Sequence, residues 1–249
     1  MLKPNNFQIR LPDDIETLPI NEEYFFITQN GQERRLRLHN YNEVYSIPGL
    51  YEYIALEILK YRSPEIMSSL LVEKMTEIGL PIEELKILEL GAGSGLFGKA
   101  LAKLGVTSII GIDIVPEAKI ATERECQGVY QDYFIEDLTQ LSESTKNKLK
   151  EQKLNCLVCC SALSSDHIPV EAFQVALSLI QDGGWILFNV AKSSYENPSN
   201  SSKFIKFYHQ ASAEGTLKLN YSYSYIHRHF FNGQSLEYIA ILTQKPEII

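Results

Sequence analysis

The chain has 249 residues, 45% of them hydrophobic, and 31 acidic residues outnumber 23 basic ones to give a formal net charge of -8. This length and apolar content allow a sizeable core and favour one α/β domain with an appendage, with two small domains as the alternative. The acidic balance repels phosphate backbones, so we expect no nucleic-acid partner. No apolar run reaches the ~20 residues that span a bilayer, and the amino terminus lacks the apolar stretch of a signal peptide. We therefore predict a cytoplasmic protein with no membrane partner.

The amino-terminal part of the chain carries a hairpin signal followed by a tyrosine-rich stretch. EEYFFITQNGQERRLRLH alternates apolar and polar residues around Asn30-Gly31, which predicts a β-hairpin. In SPEIMSSLLVEKMTEIG, Ser63 and Pro64 predict a helix start and Gly79 its end. We predict an amino-terminal hairpin and lid or cap region over residues 1–62 and a main domain over residues 63–249.

From Lys86 onward, short apolar runs alternate with helical periodicity, which indicates a parallel sheet covered by helices. The predicted strands of this region are KILEL, SIIGIDI, GVYQDY, NCLVCCS and WILFNVA. Two further strands, TLKLNYSYSYIHRHF and SLEYIAILTQK, flank Asn232-Gly233 and predict an antiparallel hairpin. The fold class is therefore α/β: a Rossmann-like, seven-stranded, mostly parallel sheet with helices on both faces, an antiparallel C-terminal hairpin and the N-terminal cap.

Three of the four cysteines, Cys156, Cys159 and Cys160, fall inside one predicted strand. Their CxxC spacing raises the possibility of a redox or metal site, but such sites place thiolates on a turn or at a helix start. The apolar strand pattern favours packing, since free cysteine behaves as a small buried hydrophobe. We predict no metal site.

The turn after the first strand of the main domain combines an acid with closely spaced glycines, in Glu89-Leu90-Gly91-Ala92-Gly93. Glycines at 91 and 93 let the backbone approach a ligand closely. Glu89 suits a ligand with an ammonium group, whereas dinucleotide sites place a pyrophosphate at the helix start. In a dinucleotide site the third glycine would fall at position 96, which is Leu96, so we interpret Gly98 as a helix-packing glycine.

Two further acids follow the next two predicted strands. Asp113, 22 residues after Gly91, can accept hydrogen bonds from ribose hydroxyls, with Ile114 as an apolar wall for adenine. An acid at this place fits NAD equally well. Asp137, after the third strand, can accept a hydrogen bond from the adenine amino group, and Leu138 would line the same slot.

Taken together, ILELGAGSGLFGKAL, GIDIVPEA and DLTQL resemble the cofactor motifs of class I S-adenosylmethionine (SAM)-dependent methyltransferases, over roughly residues 86–187. The resemblance implies SAM as cofactor, S-adenosylhomocysteine (SAH) as product, and a methionine-facing and acceptor-facing role for Ser161. The Asp/Asn-Pro-Pro-Tyr/Phe tetrad of enzymes that methylate nucleic-acid bases or glutamine is missing at this place, which argues against those acceptors.

Histidines on two segments are candidates for a catalytic base. A base within hydrogen-bond reach helps when the acceptor is a hydroxyl or a protonated amine. His167 follows the Ser161 segment, with an exposed residue at a helix start as the alternative interpretation, and His227 lies in the YSYSYIHRHF strand. The stretch Tyr225–Arg228 resembles a YxHR element of some small-molecule methyltransferases, which implies acceptor contacts for Tyr225, His227 and Arg228. Ordinary strand packing of this aromatic stripe is the alternative.

The tyrosine-rich stretch HxY...IPGLYE...SP resembles a lid that covers the cofactor in related enzymes. The resemblance implies site roles for Tyr45, Tyr51 and Tyr61, while an aromatic packing helix is the alternative. We therefore expect a methyltransferase for a small-molecule acceptor. Three alternatives stay open at this point: another SAM-dependent chemistry, an NAD-dependent oxidoreductase, and a non-catalytic module of the same fold.

Overall fold

The computed structural model describes residues 6–13, 15, 22–163, 167–197 and 201–247. A small antiparallel sheet comes first, with the strand order β1-β2-β3. Its strands are β1 (Gln8–Arg10), β2 (Tyr24–Gln29) and β3 (Gln32–Arg37). Asn30 and Gly31, both at positive φ, form the predicted hairpin turn between β2 and β3. The sequence patterns did not predict the short strand β1.

A seven-stranded sheet has the order β6-β5-β4-β7-β8-β10-β9. Its strands are β4 (Lys86–Leu90), β5 (Ser108–Asp113), β6 (Asp132–Ile135), β7 (Cys156–Cys159), β8 (Trp185–Ala191), β9 (Lys218–His229) and β10 (Ser235–Gln244). Strands β4 to β8 pair in parallel, and β10 is antiparallel to both β8 and β9. The predicted fold class is confirmed.

Helices pack on both faces of this sheet. The helices are α1 (Tyr41–Ser46), α2 (Leu50–Glu52), α3 (Ser63–Glu77), α4 (Leu96–Lys103), α5 (Pro116–Glu125), α6 (Glu143–Glu151), α7 (Val170–Ser178), α8 (Lys192–Glu196) and α9 (Lys203–Ala213). The short helices α1 and α2 belong to the amino-terminal segment. A π-helical segment, Tyr53–Ile58, continues α2. Within the described ranges, no helix has the length and apolar character needed to cross a membrane.

Alternate residues of the central strands pack into two separate cores, one on each face of the sheet. Ile87 packs with Met67 of α3 and Phe97 of α4, whereas its neighbour Leu88 packs with the cluster containing Phe173 of α7. Because both faces of a parallel sheet are covered, its strands are apolar at nearly every position. Their carboxyl ends meet along one edge, where ligands bind in open α/β sheets.

Two predictions within the main domain have clear outcomes. The third strand was placed too early: Gly128, at positive φ, forms a turn, and pairing with β5 begins only at Asp132. Cys156 and Cys159 are buried in different cores on opposite faces of β7, which agrees with the packing interpretation. Burial raises the pKa of the Cys156 thiol to about 12.

The amino-terminal segment has a core of its own, next to the edge of the large sheet where the parallel strands end. Phe25 and Ile27 of β2 pack with Leu50 and Ile54, and Phe231 from the β9–β10 turn joins them. The cap therefore rests on the carboxyl-terminal hairpin. The boundary at residue 62 stays a prediction.

Candidate cofactor and acceptor site

A cavity of about 580 Å³ opens at the carboxyl ends of β4, β5 and β7. Its volume lies within the range of small-molecule sites, and its position is the one expected for an open α/β sheet. The predicted site residues that line it are Tyr45, Tyr51, Tyr61, Glu89, Gly91, Ala92, Gly93, Asp113, Ile114, Asp137, Leu138, Ser161, His167, His227 and Arg228. Tyr225 is the predicted site residue that does not line it.

The turn after β4 borders the cavity and packs too closely against its neighbours to carry side chains. Gly91 and Gly93 have φ values of 70° and 55°. A Cβ at Gly91 would lie 2.9 Å from the Ala162 Cβ, and one at Gly93 would lie 2.7 Å from the Tyr45 hydroxyl. The backbone is thus bare toward the cavity, which fits a cofactor bound in close contact with the turn.

Glu89 lies buried at the base of this turn. The Tyr130 hydroxyl donates to its Oε2 over 2.8 Å, and no salt bridge to Glu89 forms within the described chain. Burial, with a smaller contribution from Asp113, raises the pKa of Glu89 to about 8. A ligand ammonium group would supply the missing positive charge. A Cβ at Gly98 would collide with the same Tyr130 hydroxyl, which agrees with its interpretation as a packing glycine.

Asp113 is held firmly where β5 ends. Its Oδ2 accepts from the Gly93 N–H and its Oδ1 from the Val115 N–H, each over 2.9 Å. Burial raises its pKa despite these hydrogen bonds. The neighbouring Ile114 is 63% exposed on the cavity wall. A fixed carboxylate beside an apolar surface fits a ribose with its attached base.

Asp137 lines the same cavity and also has a local structural role. Its Oδ1 accepts from the Thr139 N–H over 2.8 Å and from the Thr139 hydroxyl over 2.7 Å, so it caps the short 3₁₀ turn that begins at Leu138. This capping fixes the direction of the carboxylate. The three carboxyl groups of Glu89, Asp113 and Asp137, as hydrogen-bond acceptors, therefore fit a ligand with an ammonium group, a ribose and a purine.

Residues 39–64, which contain the tyrosine-rich pattern and are here called the lid, cover the glycine turn. The rings of Tyr41 and Tyr45 stack with centroids 5.4 Å apart, and Tyr51 meets Tyr45 edge-on at 5.0 Å. Helix α5 holds this lid, because Arg124 Nη2 donates to the Tyr45 carbonyl and Glu125 Oε1 accepts from the Gly49 N–H, both over 3.0 Å. The lid is thus docked over the cavity.

Elsewhere in the cavity, polar side chains from the turn after β7 and from β9 converge around Tyr61. The Tyr61 hydroxyl donates to Ser161 Oγ over 3.0 Å. The His227 ring stacks on Tyr238 with centroids 3.8 Å apart, and Tyr61 meets its edge at 5.1 Å. Burial holds the pKa of His227 well below its usual range, so this ring is neutral near pH 7.

Three site features escaped the sequence analysis. His39 lines the cavity with its ring centroid 5.9 Å from that of His167, and both side chains are exposed. Desolvation by the cavity wall, with a smaller contribution from the Arg228 charge, lowers the pKa of His39 to about 4. The second feature is Glu23, which forms an ion pair with Arg228. The HxY pattern of the lid contained a signal for His39, but no local pattern pointed to Glu23.

The third feature is Asn189, a polar residue in the middle of the buried strand β8. A polar residue inside an apolar run was the sequence signal that could have identified Asn189 as a site residue. Its Nδ2 lies 2.8 Å from the Tyr225 hydroxyl and 3.0 Å from Ser161 Oγ. Tyr225 consequently lies behind the cavity wall and contacts the site only through other side chains, because Ser63 and Asn189 hold its hydroxyl.

A sheet of this order, with an acid-flanked glycine turn where its first parallel strand ends, defines the class I SAM-dependent methyltransferases. The chain belongs to the methyltransferase domain family, whose sequence model matches residues 59–240. The cofactor of this class is SAM, which excludes the NAD-dependent alternative. A curated relative, the ribosomal protein L11 methyltransferase of Trichlorobacter lovleyi, is 49% identical over 45 residues, which are 18% of this chain and 15% of the relative. The match thus spans a small part of that relative's length.

Solved structures share the fold at low sequence identity. A SAM-dependent methyltransferase from Anabaena variabilis superimposes with a TM-score of 0.54 at 13% identity, covering 82% of this chain and 91% of the other. A SAM-dependent methyltransferase from Methanosarcina mazei gives 0.52 at 17% identity, covering 70% and 98%. Magnesium protoporphyrin IX methyltransferase from Synechocystis, solved with bound SAH, gives 0.50 at 14% identity, covering 73% and 82%.

Proposed function

We propose that the protein transfers the methyl group of SAM to a small-molecule acceptor bound between the lid and the carboxyl-terminal hairpin. The observation that carries this proposal is the cavity that continues from the glycine turn, beneath the lid tyrosines, to Tyr61, Ser161 and His227. An aromatic-lined cavity of about 580 Å³ suits a small molecule. The formal net charge of -8 disfavours a nucleic-acid acceptor.

SAM supplies an electrophilic methyl group on a sulfonium, and the protein's task is to orient the acceptor and exclude water. Glu89, Asp113 and Asp137 would hold the cofactor through its ammonium, ribose and adenine groups. Ser161 and Tyr61 would border the methionine portion. The lid tyrosines Tyr45 and Tyr51 would shield the glycine turn from solvent, which strengthens polar contacts there.

The acceptor would occupy the end lined by His39, His167 and His227. Two imidazoles there, the buried His227 and the exposed His39 on the cavity wall, have lowered pKa values and are neutral near pH 7. Arg228 borders the same space, but Glu23 balances its charge. This end of the cavity is therefore close to electrically neutral and rich in aromatic surface, which suits a compact organic acceptor.

The test is incubation with methyl-labelled SAM and a cell extract separated into small-molecule, protein and RNA fractions. We expect label in the small-molecule fraction and its loss with Asp113→Ala. Label in protein or RNA alone would overturn the small-molecule proposal. SAM consumption with no labelled acceptor would indicate a different SAM-dependent chemistry.

A protein acceptor is the second candidate, because the 45-residue match at 49% identity is to an enzyme named for a ribosomal protein. The same fractionation separates the two candidates. A labelled polypeptide that disappears with Asp113→Ala would favour this second acceptor class.

A further inference from the structure

A buried chain of polar side chains links the Ser161 turn to His227. Asn189 is fully buried, and its Oδ1 accepts from the Ser161 backbone N–H over 2.6 Å. A backbone N–H can only donate, so the amide orientation of Asn189 is fixed with Nδ2 on the opposite side. There Nδ2 lies within hydrogen-bond distance of Ser63, Ser161 and Tyr225.

The Tyr225 hydroxyl has one acceptor for its proton. Its partners within the described chain are Asn189 Nδ2 at 2.8 Å, which donates, and Ser63 Oγ at 2.8 Å. The Tyr225 proton must therefore go to Ser63 if this buried hydroxyl is to be satisfied, and buried hydroxyls nearly always are.

The direction of the hydrogen bond from Tyr225 to Ser63 decides which ring nitrogen of His227 carries the proton. Ser63 Oγ lies 2.7 Å from His227 Nδ1. Since Ser63 accepts from Tyr225, its own proton points to Nδ1, and a neutral ring then carries its proton on Nε2. The opposite direction would leave the Tyr225 proton without a partner in a buried position.

We propose that Asn189, Tyr225 and Ser63 hold His227 as the Nε2–H tautomer, and that His227 donates from Nε2 to a carbonyl or carboxylate oxygen of the acceptor. This inference rests on the proposed function. His227 lines the cavity, and with Nδ1 engaged by Ser63, Nε2 is the ring nitrogen that faces a ligand. A neutral Nε2–H imidazole cannot take a proton at Nε2. The role proposed for His227 is therefore to bind the acceptor, in place of the role as a base that the sequence predicts.

The acceptor class follows from this hydrogen bond. A donor at Nε2 attracts an oxygen lone pair and repels an ammonium or amide N–H. The adjacent Arg228 adds no free charge because Glu23 pairs with it over 2.7 Å. The preferred acceptor is therefore an oxygen-bearing small molecule with its carbonyl or carboxylate against β9, and protonated amines are disfavoured.

The tautomer is measured directly by long-range ¹H–¹⁵N correlation on ¹⁵N-histidine-labelled protein near neutral pH, with His227→Gln to assign the signal. We expect the Nε2–H pattern in the wild type and its loss, or a tautomer mixture, in Ser63→Ala. Ser68→Ala is the matched control, because Ser68 is also buried on α3 but donates to the Glu65 carbonyl. An Nδ1–H pattern in the wild type, or an unchanged pattern in Ser63→Ala, would overturn the proposal.

Activity gives a second readout once a labelled product is in hand. Gln keeps an N–H donor whereas Phe does not, so we expect His227→Gln within about 10-fold of the wild-type rate and His227→Phe slower by about 10²-fold. Equal losses would indicate a base and contradict the proposal. If the wild type forms no labelled product, the proposed function fails together with the acceptor contact of His227, while the tautomer measurement still decides how Asn189, Tyr225 and Ser63 hold the His227 ring.

Discussion

Glu23 and Arg228 form an ion pair in which Oε2 and Nη2 are 2.7 Å apart and the side chains keep only 5% and 9% exposure. The pair joins the amino-terminal cap to β9. Glu23 Oε1 also accepts from the Phe231 N–H over 3.0 Å, so both carboxylate oxygens connect the cap to the carboxyl-terminal hairpin. The cap position over the acceptor end therefore depends on this pair.

Removing one member of this ion pair should destabilise the folded protein. We expect Arg228→Met to lower the free energy of unfolding by about 3–5 kcal/mol, because it leaves the Glu23 charge buried without a partner. Urea denaturation measures it. Glu33→Gln is the control, since the Arg10–Glu33 pair is exposed and solvent screens it, so its loss should change stability much less. Equal effects of the two substitutions would mean that the buried pair has no special role.

The raised pKa of Glu89 predicts how stability depends on pH. The folded protein keeps Glu89 protonated up to about pH 8, whereas a glutamate in the unfolded chain ionises near its ordinary pKa of 4.5. The folded state binds more protons between these values, so its stability falls as pH rises from 4.5 to 8 and levels off above. Glu89→Gln should flatten this decline in a series of urea denaturations. Asp113, whose pKa is also raised, leaves a residual slope. The same pH dependence in variant and wild type would contradict the assignment.

The bare turn predicts that added methyl groups prevent cofactor binding. Gly93→Ala places a Cβ 2.7 Å from the Tyr45 hydroxyl, and Gly91→Ala places one 2.9 Å from Ala162. We expect each to weaken SAH binding by more than about 10-fold, roughly 1.4 kcal/mol, in a calorimetric titration. Gly79→Ala is the matched control, because its φ of +77° carries the same backbone strain with no atom near the added Cβ. Binding that survives in all three variants would place the cofactor elsewhere.

The cofactor half of the site was predictable from local sequence because parallel strands end at one edge of the sheet. Glu89 and Asp113 flank the ends of adjacent buried strands, so alignment of β4 with β5 brings them together. A short apolar run followed by a glycine turn is a local pattern, and its structural consequence is equally local.

The acceptor half depends on contacts that no local pattern encodes. Ser63 and His227 are 164 positions apart, and Glu23 and Arg228 are 205 apart. The period of two along β9 placed Tyr225 and His227 on one face, but whether that face borders the cavity or lies behind it depends on how α3 packs. The start of β6 was misplaced because Tyr130 turns inward to donate to Glu89.

The most direct test of the central claim is a calorimetric titration of the wild type and Asp113→Ala with SAH and with NAD. We predict one SAH bound per chain, no heat from NAD, and an SAH affinity at least about 10-fold weaker in Asp113→Ala. Binding of NAD in place of SAH, or equal SAH affinity in the two proteins, would contradict the assignment of the cofactor to this cavity.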